Sequence, residues 1–343
     1  MEDNNNKIRI ALDAMGGNFA PLNEIEGAVL AYKEKSEILD ITLVGEGKLI
    51  EQHLKKIGFI NNFNIIDAED IVTMEDSPSD SYKNKPKSSM RIGLELQSNG
   101  KSDAFVSAGN TGAVLANSTL SLGKIEGISR PTIGTPMPSL KGGYSMLFDV
   151  GASVDCKSRH LFEFAVMGSV YMNYVLNIPN PRVGLLNIGE EENKGNEVTV
   201  KAYEILKNSK INFIGNVEGD DILCGKVDVA VCDGYTGNIV LKFAESVIEI
   251  LKYKFKEYAS RNLKNKIWIG MFRNTLRKIL KEFDYQNYGG VPLLGVNGVA
   301  IIGHGKSTSF AIKNMIFRAV DMVKKNVNNK IKTEINSYLN NNK

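Results

Sequence analysis

The sequence predicts an α/β fold built on a largely parallel sheet. Short apolar segments alternate with longer segments whose apolar residues recur at helical spacing, which is the pattern of successive βαβ units. Crossover connections of this kind are right-handed and make the strands that they join parallel. Glycine-rich turns follow several of the apolar segments, as expected where a strand leads into a helix.

The first half of the chain shows this alternation clearly. Strands are predicted at Lys7–Asp13, Asp40–Val44, Asn64–Asp67 and the start of Asp103–Leu115. Helices are predicted from Pro21 to Lys35, from Gly47 to Ile57 and from Ser89 to Gln97. The polar segment Met74–Ser89 between them is predicted to be a surface loop, and loops of that length are often lids or binding loops.

The second half continues the pattern with one interruption. Extended segments are predicted at Pro131–Pro138, Tyr144–Val150, Arg182–Ile188, Asn212–Val217, Asp228–Asp233 and Val299–Ile302, with a hairpin turn at Gly142-Gly143. Helices are predicted at Arg159–Val175, Glu197–Asn208 and Ser309–Val327, and the tail after Tyr338 is expected to be disordered. Between the last two strands, Asn238–Phe283 is predicted to be a long helical hairpin.

Composition narrows the possible classes. The 343 residues are 43% hydrophobic and 24% charged, as in ordinary globular proteins, and a net charge of +3 does not favour nucleic-acid binding. The polar N-terminus predicts no signal peptide, and no apolar run reaches the roughly 18 residues of a membrane span. The three cysteines form no C-x-x-C pair and are typical of reduced thiols in a cytoplasmic protein. No metal site is predicted, because no ligands cluster at metal-binding spacing.

Two segments repeat one motif. Asp103–Leu115 (DAFVSAGNTGAVL) and Asp228–Val240 (DVAVCDGYTGNIV) both combine an apolar strand, the turn Gly-x-Thr-Gly and the start of a helix. The first N–H groups of a helix lack acceptors within the helix and attract anions. Two such turns suggest a site for two anionic groups, or for one phosphate held from two sides; a tight turn without function is the alternative.

Polar residues come directly after several predicted strands. They are Asp13, Ser107, Asn110, Asp149, Lys194 and Asp233. Ligands of parallel sheets bind beyond the carboxyl ends of the strands, so these residues are expected to gather at one edge of the sheet.

The helical hairpin is basic and amphipathic. Its apolar cluster IWIGMF, at the expected bend, suggests membrane contact through Trp268, Ile269, Met271 and Phe272. Packing of the apolar stripe on a second subunit or on the other arm of the hairpin is the alternative.

Eight segments spread over about 7–327 together resemble the PlsX family of phosphate acyltransferases, the acyl-phosphate synthases of bacterial phospholipid synthesis. They are IALDAMGGNFAP, SAGNTGA, RPTIGTPMPS, DVGASVDCK, GLLNIGEEENKGNE, NFIGNVEGDDIL, DGYTGNIVLK and YGGVPLLG…GHGKS. Asn18 stands where the family usually has Asp, and GEEENKG stands where GTEDxKG is commoner.

The resemblance implies a fold and a reaction. The fold is a Rossmann-like α/β/α sandwich, similar to phosphate acetyltransferases and isopropylmalate dehydrogenase. It forms a single α/β domain over 1–343 with an ordered core at 7–337, and it includes a protruding helical hairpin at 238–285 for dimer and membrane contact. The reaction transfers a fatty acyl group from acyl carrier protein to inorganic phosphate, giving acyl phosphate for glycerol-3-phosphate acylation, without a cofactor. The protein is then expected to be a cytoplasmic homodimer, peripherally associated with the inner face of the plasma membrane.

In this reaction phosphate is the nucleophile, so the protein must hold a dianion against a thioester carbonyl. Lys194 is the predicted cation, with a solvated loop lysine in an acidic turn as the alternative. His304 is the candidate group to protonate the leaving thiolate or polarise the carbonyl, with a structural histidine as the alternative. Asp233 and Asp149 are the candidate carboxylates to orient Lys194 or His304. Asp233 and Asp149 have capping of turns as the alternative. The predicted phosphate- and substrate-binding residues are Asp13, Gly16, Gly17, Ser107, Gly109, Asn110, Thr111, Gly112, Asp149, Asn196, Gly234, Thr236 and Gly237.

Three other functions remain open at this point. A phosphate acetyl- or butyryltransferase would use CoA on the same fold. A metal- and NAD-dependent decarboxylating dehydrogenase would need a close set of Asp ligands and an Arg cluster, and the sequence shows neither. A membrane scaffold without activity would not need polar residues after so many strands.

Overall fold

The computed structural model describes residues 7–280 and 288–341. Its strands are β1 Ile8–Asp13, β2 Leu39–Gly45, β3 Asn64–Asp67, β4 Ala104–Ser107, β5 Thr132–Pro138, β6 Tyr144–Phe148, β7 Val183–Leu186, β8 Phe213–Val217, β9 Val229–Val231, β10 Val291–Leu294 and β11 Val299–Ile302. Its helices are α1 Leu22–Lys35, α2 Gly47–Ile57, α3 Pro78–Asn84, α4 Ser89–Ser98, α5 Thr111–Leu122, α6 Ser158–Val170, α7 Glu197–Lys207, α8 Gly219–Cys224, α9 Gly234–Ser260, α10 Leu263–Leu280, α11 Ser309–Lys324 and α12 Val327–Asn341.

The strands of the described residues form one sheet in the order β3-β2-β1-β4-β11-β10-β5-β6-β9-β7-β8. Three neighbouring pairs in the middle are antiparallel, namely β11 with β10, β10 with β5, and β5 with β6. All other neighbours are parallel, which confirms a largely parallel sheet. Because the number of antiparallel steps is odd, β1, β4 and β11 run opposite to β6, β9 and β7.

Helices cover both faces of the sheet and bury its side chains in two layers. Alternate residues of β1 point to opposite faces, so that Ile10 and Leu12 join the core under α1 and α11 while Ala11 joins the core under α4 and α5. Phe105 and Phe164, each without exposed surface, fill the two layers. The predicted α/β/α sandwich is therefore confirmed.

The predicted elements differ from the structure in several places. The predicted loop 74–89 contains α3, which begins at Pro78 because the Ser77 side chain accepts the Asp80 N–H at the N-cap. The short elements α8 and β10 have no counterpart among the predictions. The predicted final helix Ser309–Val327 corresponds to α11, and α12, which follows it after Lys325–Asn326, has no counterpart among the predictions.

The tail was expected to be disordered after Tyr338, but α12 continues to Asn341, and residues 342–343 lie outside the described part of the chain.

The helical hairpin is confirmed over the residues described. Helix α9 has 27 residues and so spans about 40 Å, and α10 packs back against it. The turn lies at Arg261–Asn262. The prediction that the cluster IWIGMF lies at the bend is therefore wrong, because residues 267–272 lie within α10. Residues 281–285 of the predicted hairpin lie outside the described residues. No helix in the described residues is long and apolar enough to span a membrane.

Candidate active site

The first group of predicted site residues surrounds Asp13 at the end of β1. The Asp13 side chain is buried, and Oδ1 accepts hydrogen bonds from Ser89 Oγ at 2.6 Å and from the Met15 N–H at 3.2 Å. Its Oδ2 accepts from Ser107 Oγ at 2.7 Å, at the end of the adjacent strand β4. Burial raises the pKa of Asp13, and these three donors oppose that rise. Asp13 therefore joins β1, β4 and the start of α4.

The glycines of this group allow two turns to touch. A Cβ at Gly16 would lie 2.7 Å from Asp13 Oδ2, 2.8 Å from Ser107 Oγ and 2.9 Å from the Gly109 nitrogen. The Gly109 N–H donates to Ser107 Oγ at 3.0 Å. Only glycine at position 16 allows the loop after β1 to pack against the β4–α5 turn without a shift.

The N-terminus of α5 is capped and braced by the segment before α3. Asn110 Oδ1 accepts the Ala113 N–H at 3.0 Å, and Nδ2 donates to the carbonyls of Met74 and Asp76, both at 3.0 Å. The Asn110 side chain, predicted to donate to phosphate, is thus occupied in holding this segment. The N–H groups of Thr111 and Gly112, in the first turn, have no acceptor within the helix.

The loop 303–308 completes this edge. The Gly303 N–H donates to the Ser107 carbonyl at 2.8 Å, and the Asn18 N–H donates to the Gly305 carbonyl at 2.8 Å. His304 is exposed, and its Nδ1 accepts the Lys306 N–H at 3.1 Å. Lys306, also exposed, was not among the predicted site residues, although the basic segment GHGKS was visible in the sequence. None of the ion pairs of residues 7–280 and 288–341 includes it.

A second group lies where β6 and β9 end. Asp149 is buried and accepts the N–H groups of Ile133, Ala152 and Ser153 at 3.1, 3.2 and 2.6 Å. Burial raises its pKa to about 6 in spite of these donors. A Cβ at Gly234 would lie 2.8 Å from Asp149 Oδ2, and one at Gly237 would collide with the Asp149 carbonyl.

Asp233 belongs to this second group and caps α9. Its Oδ1 accepts the Thr236 N–H and its Oδ2 accepts Thr236 Oγ, both at 2.8 Å. These bonds favour the capping alternative for Asp233 over the orientation of His304 or Lys194, because both oxygens are used within the first turn of the helix.

Lys194 follows β7, the strand next to β9. Its side chain is 46% exposed, and Nζ lies 3.7 Å from Glu191 Oε1. Asn187 Nδ2 donates to the Lys194 carbonyl at 2.9 Å, and Asn196 caps α7 by accepting the Thr199 N–H at 2.9 Å. Lys194 is thus a surface lysine in an acidic turn.

The expectation that all these residues gather at one edge is wrong for a single chain. Asp13, Ser107, Asn110 and His304 lie at the carboxyl ends of β1, β4 and β11, whereas Asp149, Lys194 and Asp233 follow strands that run in the opposite direction and end at the other edge. Strands β1 and β6 are also five positions apart, about 24 Å at the usual spacing between strands. The two Gly-x-Thr-Gly turns of one chain therefore lie at opposite edges of the sheet and do not form one phosphate site.

The described residues contain no group of three or more His, Cys, Asp or Glu side chains placed to hold a metal ion. The two cysteines near Asp149 are poor nucleophiles. Burial raises the pKa of Cys156 to about 12 and that of Cys232 well above its ordinary value, so both thiols are protonated at neutral pH.

Comparison with known proteins identifies the family. The model of the family described as "Fatty acid synthesis protein" matches residues 8–330. The chain belongs to this family. The chain is 45% identical over 328 residues to a phosphate acyltransferase of a Nitratiruptor species, covering 96% of this chain and 98% of that one. It is 46% identical over 321 residues to a phosphate acyltransferase of Heliobacterium modesticaldum, covering 93% and 95% of the two chains. This member of the fatty acid synthesis family is thus an acyltransferase, as the resemblance implied.

Solved structures agree on the fold. A phosphotransacetylase from Streptococcus pyogenes aligns with a TM-score of 0.63 at 17% identity, covering 93% of this chain and 94% of that one. A branched-chain phosphotransacylase from Enterococcus faecalis aligns with a TM-score of 0.58 at 13% identity, covering 92% and 99%. At these identities the likeness shows the fold of the family member and nothing more.

Proposed function

We propose that the chain transfers a fatty acyl group from acyl carrier protein to inorganic phosphate, giving acyl phosphate for glycerol-3-phosphate acylation. The observation that carries the proposal is the close packing of the Gly16 loop, the α5 N-terminus and the loop 303–308 at one sheet edge, in a chain that belongs with phosphate acyltransferases. Helix N–H groups and glycine backbone at such an edge suit a phosphate dianion.

The reaction is a direct displacement. An oxygen of HPO4²⁻ attacks the thioester carbonyl carbon, the C–S bond breaks, and the proton that phosphate loses goes to the leaving sulfur, so that acyl phosphate and the free thiol are formed. The displacement forms no enzyme-bound acyl intermediate and so needs no thiolate from Cys156 or Cys232, whose pKa values burial raises.

Phosphate binding needs a cation as well as N–H donors. A helix N-terminus contributes about 0.3–1 kcal/mol, whereas removing an ion from water costs several kcal/mol. We assign the cation to Lys306, on the loop whose Gly303 and Gly305 contact β4 and Asn18. Lys194, the predicted cation, lies on the other edge. His304, beside Lys306, remains the candidate to protonate the leaving sulfur.

The first experiment measures acyl phosphate formation from palmitoyl–acyl carrier protein, palmitoyl-CoA and acetyl-CoA. Turnover mainly with the carrier-linked substrate supports the proposal. Turnover only with acetyl-CoA would instead indicate a phosphotransacetylase, and absence of turnover with all three substrates from folded protein would refute both.

The same assay tests the cation. Lys306→Ala should lower kcat/KM at least 10²-fold, as loss of one donor to a developing charge commonly does. Lys194→Ala is the matched control and should retain activity within a few-fold. A loss at Lys194→Ala as large as at Lys306→Ala would show that both edges serve one reaction, and would refute a site confined to one edge of one chain.

We further propose that α10 contacts a membrane surface and that the protein acts in the cytoplasm at the inner face of the plasma membrane. Trp268, Met271 and Phe272 are 50%, 62% and 49% exposed, and Trp268 stacks on Phe272 at 5.8 Å. Ile269, also predicted to insert, is half-buried. Lysines 264 and 266 and Arg273, all exposed, add positive charge to this segment.

Fluorescence of Trp268, the single tryptophan, reports on this contact. Anionic vesicles should shift its emission to the blue, neutral vesicles less so, and Met271→Asp should weaken the shift. An unchanged spectrum with anionic vesicles would refute insertion at this segment.

The proximal part of α9 suits a second copy of the chain. An exposed apolar stripe runs along it at helical spacing, formed by Tyr235, Ile239, Phe243, Val247 and Ile250. Burying each such side chain contributes roughly 1.5–3 kcal/mol, enough together for a stable dimer. Sedimentation should therefore show a dimer for the wild type and a monomer for Phe243→Lys; a monomeric wild type would refute this assignment.

A further inference from the structure

Glu24 is a buried carboxyl beside the proposed phosphate loop, and the proposed reaction assigns no role to it. It lies in the first turn of α1, is 1% exposed, and its Oε2 has no hydrogen-bond partner in the described residues. A Cβ at Gly17 would collide with Glu24 Oε1. The glycine loop after β1 therefore rests directly on this carboxyl.

Glu24 differs from its neighbour Asp13 in how well its charge is compensated. Asp13 accepts hydrogen bonds from two hydroxyls and one N–H. The charged form of Glu24 is favoured by backbone N–H groups, those of Glu24 itself and of Gly17. Burial, together with the charge of Asp13, raises the pKa of Glu24 to about 7. Glu24 therefore changes charge near neutral pH.

Charged groups lie on several elements packed against α1: on β1, on α11 (Lys313, Arg318, Asp321 and Lys324) and on α2 (Lys48, Glu51, Lys55 and Lys56), and Asp13 is the one that raises the pKa of Glu24. Asp13 is on β1, and the exposed side chains of His304 and Lys306 are on the loop 303–308, which contacts the glycine loop through the Asn18–Gly305 bond. On α11, which packs against α1, Lys313 is paired with Glu34 at the far end of α1.

We propose that Glu24 is a positioning residue that couples phosphate binding to a proton, because the glycine loop binds a dianion only while the carboxyl beneath it is neutral. This inference rests on the proposed function, which places phosphate at the glycine loop. Since binding and protonation are reciprocal, phosphate must draw a proton onto Glu24 at any pH where that carboxyl is charged.

Calorimetric titration of the full chain with inorganic phosphate tests the coupling. Titrations in buffers of different ionisation enthalpy give the number of protons taken up on binding. At pH 8 the wild type should take up nearly one proton more than Glu24→Gln, and at pH 6 the two should be nearly equal. Comparing the variants at the same pH cancels the titration of phosphate itself. In turnover assays, KM for phosphate should rise about tenfold per pH unit above 7 relative to Glu24→Gln, with little change in kcat.

Two control variants test which side chain takes up the proton. Glu26→Gln removes an exposed carboxylate from the same helix and should behave as the wild type. His304→Asn should still take up the additional proton when it binds phosphate at pH 8. If His304→Asn fails to take up this proton while Glu24→Gln does take it up, the coupling belongs to His304 and the inference is overturned. Glu24→Met, which is neutral and of similar length, repeats the test should Glu24→Gln fail to fold.

The outcomes separate this inference from the proposed function. Equal proton uptake at pH 8 by the wild type and both Glu24 variants, with phosphate still bound, would refute the role of Glu24 alone. Absence of phosphate binding to the folded wild type would refute the phosphate site and the inference together.

Discussion

Replacing Gly16 by alanine tests whether the contact between the two glycine turns builds the site. The added methyl would lie within 3.0 Å of three atoms that cannot move easily: the hydrogen-bonded Asp13 carboxylate, the Ser107 hydroxyl and the backbone nitrogen of Gly109. An ordinary carbon contact needs at least about 3.4 Å, so the loop or the α5 turn must shift by roughly half an ångström or more. Overpacking of this kind costs about 1–3 kcal/mol.

The substitution should impair catalysis as well as folding. A shift of the loop displaces the donors of the α5 N-terminus relative to the thioester, and misplacement by about 1 Å can cost 10²-fold in rate. We expect Gly16→Ala to raise KM for phosphate and lower kcat/KM by ten- to a hundredfold, while the free energy of unfolding falls by about 1–3 kcal/mol. Denaturant titration and steady-state acyl phosphate assays measure the two quantities.

Gly219→Ala is the matched control, because a Cβ there meets no atom within 4 Å. Wild-type stability and kinetics in Gly16→Ala would refute the argument that this contact holds the site together.

Three further substitutions test other parts of the structure. The pKa of Asp149 is raised to about 6, so the native state binds more protons than the unfolded state between pH 4 and 6. The free energy of unfolding of the wild type should therefore fall by about 3 kcal/mol as the pH rises through this range, and that of Asp149→Asn should not show this fall. Equal pH slopes in denaturant titrations of the two proteins would contradict this. Asn110→Ala should cost about 1–2 kcal/mol by removing the α5 cap, and should speed proteolysis in residues 74–77, which the side chain holds; an unchanged cleavage rate would argue against that brace. Gly27→Ala should lower the melting temperature by several degrees, because its Cβ would lie 2.5 Å from Ile312 Cβ between α1 and α11, and a wild-type melting curve would contradict tight packing there.

Local signals in the sequence predicted most of the fold. Strands β1 to β4 and helices α1, α2 and α4 fall within a residue or two of the predicted bounds, since alternation of apolar residues and capping residues act over a few positions. Helix α3 was missed because its seven residues carry too little apolar periodicity to distinguish them from a loop. Strand β10 was missed because it lies among glycines, and its position is determined by pairing with β5 and β11.

The candidate site was predicted less completely. Asp13, Gly16, Ser107 and Gly109 were expected to lie together, and the structure brings them into contact. Lys194 and Asp233 were expected to join them and do not.

By itself the sequence determined the α/β class, the glycine turns and membership of the acyltransferase family. Each of these depends on residues close together in the chain or on short sequence motifs that can be recognised without the structure. Only the tertiary structure decided which of those turns share an edge. That outcome depends on the three antiparallel pairings in the middle of the sheet, which reverse the direction of β6, β9 and β7. It likewise decided that the glycine loop resting on Glu24 contacts the loop that carries Lys306, nearly 300 residues further along the chain. Pairings of this kind are set by packing between distant segments, which no local pattern of side chains records.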